Sequence, residues 1–211
     1  MHPLVAKAAA IVLALPKAWF PDGERPETPI EREQRIVGFV TEVIAAAEDI
    51  APKAGYEVDE IAALSLTFAY SESAFAWEVH AGQPWPGRPP PLGDRGRARC
   101  LFQLQRSAAL VPRDEWRPFE PDEWRRLSGL DHAATRFCAQ AGVRAVGWHA
   151  LRCKHKVDRA RSVGDHSWVG MVLASQYHRP DARCENLSRG SGRRGDLYKH
   201  LLYRLRKPGG K

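Results

Sequence analysis

From Ile30 onward, apolar residues recur every three or four positions, at Ile36, Val37, Val40, Val43, Ile44 and Ala47. That spacing predicts a helix with one buried face, stopped by Pro52 and Gly55. Residues 2 to 20 read as one short amphipathic helix, and the breaker-rich stretch Pro21 to Pro29 as a linker. Asp59 can cap a third helix carrying Ile61, Leu64, Leu66, Phe68 and Ala69 up to Glu72. Prolines between Ala81 and Leu92 forbid a helix and favour an extended loop. Gly93-Asp94-Arg95-Gly96 is then a turn signal leading into a short alternating run, which reads as a hairpin.

Beyond the hairpin the helical period returns. Ser107 to Val111 starts a helix that Pro112 stops, and Pro121-Asp122-Glu123-Trp124 begins a short helical turn. Asp131 caps a long helix through Ala133, Phe137, Ala141, Ala145 and Trp148, expected to be the central packed helix. Gly164 to Trp168 opens a further helix, Val169 to Tyr177, and Leu197 to Leu205 closes the chain. The sum is a mainly α protein with one small β-hairpin. It divides into an N-terminal helix and linker, 1–29, and a single domain, 30–211.

A chain of 211 residues with 44% hydrophobic and 27% charged residues has the composition of a folded globular protein, not a disordered one. Its net charge of +7 favours anionic partners: cell-wall polymers, nucleic acids or anionic membranes. The apolar run Ala8 to Leu15 after Lys7 has the look of a signal-peptide core. It is short, no small-x-small cleavage site follows, and it falls far below the length of a membrane span, so no clear signal peptide and no transmembrane segment are expected. Arg189 to Gly195 reads as a flexible basic loop, and no nucleic-acid-binding motif accompanies the charge.

Cys100, Cys138, Cys153 and Cys184 all lie at or beyond the hairpin and lack zinc-ribbon or redox spacing. Buried thiols and disulfides both remain open. Their even number leads us to expect at least one bridge, with Cys138 a member. The spacings of His149, His155, His166 and His178 fit no recurrent zinc pattern, so neither metal nor cofactor is expected.

The candidate chemistry sits in two carboxylates. Glu72, within Tyr70-Ser71-Glu72-Ser73-Ala74-Phe75, would project from a helix C-terminus beside buried apolar surface. Burial of that kind raises a carboxyl pKa, as a general acid near neutrality requires. Asp94 would face it from the hairpin. Two acids across a groove is the arrangement of glycoside cleavage.

These residues resemble the goose-type lysozymes and the related soluble lytic transglycosylases of the lysozyme-like fold. One anchor is Glu72-Ser73 at a helix end. The second is Gly93-Asp94-Arg95-Gly96 followed by Cys100-Leu101-Phe102-Gln103-Leu104, where the family usually has Gly-Leu-Met-Gln-Val. A weaker third is Ala174-Ser175-Gln176-Tyr177-His178. Cys100, Gln105 and His178 depart from the family pattern.

The resemblance implies an α+β lysozyme-like domain whose hairpin lines a substrate cleft. It implies a muramidase cleaving the β-1,4 bond between N-acetylmuramic acid and N-acetylglucosamine in peptidoglycan, by hydrolysis or by 1,6-anhydro-forming transglycosylation. Glu72 would be the acid/base, and Asp94 a helper that positions or activates water. Ser73, Phe102, Gln103 and Tyr177 form the substrate side, with Ser73 weighted toward supporting the helix end and Trp77, Trp85 and Phe102 available to stack on sugars. The partner would be glycan strands at the bacterial cell wall, met by a monomer unless the chain joins a virion or secretion assembly. A phage-associated enzyme is compatible with the missing export signal. The alternative from another class is a non-catalytic lysozyme-like structural or wall-binding protein.

Overall fold

The computed structural model describes residues 2–16, 27–82, 98–105, 120–164 and 191–207. Helices dominate these residues, with one two-stranded antiparallel ribbon. The mainly α expectation therefore holds. No helix among the described residues is long and apolar enough to cross a membrane.

Helix α1 (Pro3–Ala14) is shorter than expected. Leu15 is already extended because Pro16 follows, and the residue before a proline is pushed out of the helical region. Helix α2 (Pro29–Ala54) starts with a capping box in which Thr28 Oγ1 accepts from the Glu31 N–H and Glu31 returns a bond to the Thr28 N–H. It ends where Gly55 takes a left-handed conformation at φ 73°.

Helix α3 (Val58–Ser73) is capped by Glu57, one residue before its start, and not by Asp59. Every residue from Ile61 to Ala69 is buried. A helix enclosed on all sides is the centre of its fold, so α3 takes the place expected for the helix after Asp131. That helix, α6 (His132–Arg152), does begin at Asp131, whose Oδ1 accepts from the Ala134 N–H at 2.9 Å. It packs along α2, with Gly147 giving room to the Ile50 side chain.

Short helices α4 (Trp77–Ala81), α5 (Pro121–Arg126) and α7 (Lys154–Ser162) complete the middle of the chain. The ribbon pairs β1 (Ala98–Arg99) with β2 (Leu104–Gln105). The expected helices Ser107–Val111 and Val169–Tyr177 lie outside the described residues.

Helix α8 (Ser191–Arg206) corrects the reading of a flexible basic loop, because the helix begins inside it. Gly192 and Gly195 each cost about 1 kcal/mol of helix propensity. Tertiary packing outweighs that cost: Gly195, Tyr198, Leu201 and Leu205 are buried against the core. At one end of α8, Arg206 grips Asp59 at 2.6 and 3.0 Å; at the other, Arg194 reaches Glu72. The two ion pairs run α8 antiparallel to α3. Lys7 of α1 donates to the carbonyl of Leu205 at 3.1 Å, a cation at a helix C-terminus, and α1 shares the same hydrophobic core.

Candidate active site

The last two turns of α3 carry the aliphatic hydroxyls of Thr67, Ser71 and Ser73. Each of the three donates to the carbonyl four residues back, at 2.7–2.8 Å. The helix then ends without a glycine. Ala74 sits at φ 47° and Phe75 at φ 56°, two successive side-chain-bearing residues in the left-handed region.

Specific contacts hold that turn. The Ala74 N–H donates to Tyr70 O at 2.7 Å and the Phe75 N–H to Ser73 Oγ at 3.2 Å. The Phe75 ring is buried against Phe39 and Tyr70, with centroids at 5.8 and 6.0 Å. The Phe75 carbonyl accepts from Arg35 Nη2 at 3.0 Å. Arg35 is itself held by a two-point bond to Glu27, at 2.6 and 2.7 Å.

Glu72 stands immediately before this strained turn. Its side chain is 16% exposed, and Oε1 accepts from Arg194 Nη2 at 3.0 Å. Arg194 belongs to the stretch expected to be a flexible basic loop, not to the expected site. The signal for the contact is the 12-position spacing of Arg194 and Arg206, within one residue of the 13 positions between Asp59 and Glu72 on α3.

The hairpin turn is Cys100–Gln103, inside the run expected to be strand, and its Gln103 N–H donates to Cys100 O at 2.9 Å. Cys100 (φ 57°) and Gln103 (φ 47°) are also left-handed. Cys100 thus keeps the backbone conformation that a glycine takes without strain. What holds it is covalent: Cys100 is bridged to Cys138 of α6 with Cα atoms 6.1 Å apart, as expected for Cys138. The Cys100 N–H also donates to Ser128 Oγ at 3.0 Å. Cys153 is oxidised as well.

Phe102 joins the two motifs. Its ring lies 5.7 Å from Phe68, one turn before Glu72, and 5.8 Å from Phe39, which also touches Phe75. Its edge rests on Gly142 of α6, where an added Cβ would come within 2.2–2.5 Å of three ring atoms. Phe102 is fully buried, which removes it from the sugar-stacking set. Ser73 is buried with its hydroxyl bonded at the helix end, a supporting role and not a substrate contact. Gln103 is nearly buried, and its Nε2 donates to Cys100 O at 3.1 Å, bracing the turn. Asp94, Trp85, Tyr177 and His178 lie outside the described residues, as does the Gln105 side chain.

A second polar group, absent from the sequence reading, lies behind the strained turn. His80 is buried, with Nδ1 3.4 Å from Arg35 Nη1 and Nε2 3.1 Å from Thr135 Oγ1. Burial, reinforced by the Arg35 charge, pushes its pKa down to about 3 and keeps the ring neutral. Among the described residues no three His, Cys, Asp or Glu side chains converge as a metal site.

Comparison of the chain with family models, curated proteins and solved structures finds no match. The functional reading therefore rests on this geometry and on the residue pattern.

Proposed function

We propose that the protein is a peptidoglycan glycosidase of the lysozyme-like fold, with Glu72 as the acid/base. The observation that supports this best is where the backbone is strained. Four non-glycine residues among those described have positive φ: Ala74, Phe75, Cys100 and Gln103. Ala74 and Phe75 directly follow the Glu72-Ser73 anchor, Cys100 and Gln103 lie inside the second one, and Phe39 and Phe102 pack those segments together. Left-handed conformations at non-glycine residues cost of order 1–3 kcal/mol each and cluster where a fold holds functional groups in place. Strain shared by a glutamate-bearing helix end and a braced hairpin fits a device for fixing one carboxylate.

In this reading Glu72 protonates the glycosidic oxygen and then takes a proton back. Arg194 remains beside the carboxylate and fixes the orientation of one oxygen. With Asp94 as water-positioning partner the product is a reducing sugar; with Glu72 acting alone it is a 1,6-anhydro sugar, formed by the muramic acid's own 6-hydroxyl. The substrate is the glycan strand of the wall, and the positive net charge favours approach to that anionic surface. Mass spectrometry of products from purified sacculi tests the proposal. Muropeptides with reducing or 1,6-anhydro ends support it, and intact sacculi after prolonged incubation contradict it.

The Glu72–Arg194 ion pair favours one other reading, in which Glu72 only ties α8 to α3 and the protein binds the wall without cutting it. Sacculi that pellet with the protein but release no muropeptide would select that reading.

A further inference from the structure

Away from the hairpin, a cleft of about 540 Å³ opens between the start of α2, the start of α4 and the start of α6. Its walls include Glu31, Gly38, Trp77 and Leu130, and its floor includes Arg35 and Thr135. A concave site of this size with an aromatic wall and a few converging polar groups has the form of a small-ligand site.

The floor is fixed before any ligand arrives. Arg35 is locked by Glu27 and by the Phe75 carbonyl, so its charge is already matched and its direction set. A guanidinium can only donate, so His80 Nδ1 is the acceptor facing Arg35 and the ring proton sits on Nε2. That proton is donated to Thr135 Oγ1. The Thr135 hydroxyl therefore has its own hydrogen to give elsewhere, and Thr135 lines the cleft.

The walls select the ligand. Glu27 and Glu31 outnumber the single paired Arg35, which disfavours an anion. A buried ion pair in the floor disfavours a purely apolar guest. Trp77 and the 45% exposed Leu130 supply apolar surface. An added Cβ at Gly38 would meet nothing within 4 Å, so the helix surface there is flat and open. A ring with one apolar face and a rim of donors and acceptors matches these walls.

We propose that this cleft binds a neutral pyranose unit of a glycan, its face against Trp77 and its rim bonded to Glu31 and Thr135. The site needs no catalytic role for Glu72, so it goes beyond the proposed cleavage and would hold a strand at a second point.

The test titrates tri-N-acetylchitotriose into the full chain by calorimetry, in a Glu72→Gln background so that cleavage cannot consume the probe. Saturable binding is expected, and the component assigned to this cleft, as distinct from any at the Glu72 site, is the one that substitutions in the cleft weaken. Trp77→Ala removes the platform, and Gly38→Leu fills the cleft. Gly38→Leu also guards against a folding artefact, because its side chain enters open space and leucine is the better helix former. Each substitution should weaken this binding at least tenfold with thermal stability kept, and tri-galacturonate, an anionic trimer, should not bind. No binding of the neutral trimer, unchanged binding in both variants, or equal binding of the anionic trimer would each overturn the proposal. Because only binding is read, a Glu72→Gln protein that still lysed walls would count against the proposed catalysis and leave this site standing.

Discussion

Arg194 Nη2 donates to Glu72 Oε1 at 3.0 Å, joining the first turn of α8 to the last turn of α3. The pair closes one end of an antiparallel couple whose other end is Arg206 on Asp59. Both partners keep some solvent contact, at 25% and 16% exposure, so water screens the attraction and its net worth is about 1 kcal/mol. A double-mutant cycle with Arg194→Met and Glu72→Gln, read by denaturant unfolding, should give a coupling of that size. Additive losses would mean that the contact contributes nothing in solution.

The Cys100–Cys138 bridge spans 38 residues and ties the hairpin to α6. Removing it should cost about 2–4 kcal/mol. The choice of replacement matters, because Cys100 is left-handed and an alanine there keeps the strain while a glycine relieves it. Cys100→Gly with Cys138→Ala should therefore be more stable than Cys100→Ala with Cys138→Ala, by about 1 kcal/mol. The reverse order in chemical unfolding would refute the left-handed turn.

Gly142 has its missing side chain replaced by the Phe102 ring. Gly142→Ala pushes Phe102 off Phe68 and Phe39, and overpacking of this kind costs about 1–3 kcal/mol. The same change at Gly38, where space is open, should be neutral or stabilising. Thermal melts of the two variants distinguish a site that needs glycine from one that does not.

Folding of this chain should weaken in mild acid. Burial, aided by the charges of Arg35 and Arg152, lowers the pKa of His80 to about 3 and of His149 to about 4, whereas both stand near 6.5 in an unfolded chain. Above pH 6.5 neither state binds a proton at these rings, and their contribution is fully present. As the pH falls from there toward 4, the unfolded chain takes up two protons that the folded one refuses, so stability drops. Each histidine contributes a slope of up to about 1.4 kcal/mol per pH unit. Unfolding midpoints measured from pH 8 to 5 should show the fall, and His149→Gln should remove part of it. A flat profile would contradict the buried neutral rings.

What could be read from the residues alone was local. The helical period from Ile36 to Ala47, the Asp131 cap and the glutamate at a helix end depend on neighbours a few positions away. What escaped depends on distant partners. Gly192 and Gly195 argue for a loop, and only burial against α1 and α3 makes that stretch helical. Cys100 and Gln103 have no turn propensity to announce a left-handed bend, which the bridge to Cys138 and the burial of Phe102 enforce. Arg35, Glu27 and His80 come together from positions up to 53 residues apart, with no motif to mark them. The resemblance puts Phe102 on the substrate side, yet its ring completes the core.

The central claim is that Glu72 moves a proton during cleavage of wall glycan. Turbidity clearance of purified sacculi by wild type and by Glu72→Gln tests it most directly, since the amide keeps the shape and loses the transferable proton. The expected result is that wild type clears the suspension, while the variant loses at least 10²-fold in rate with its melting temperature within a few degrees of wild type. Near wild-type clearance by the folded variant would remove Glu72 from the mechanism.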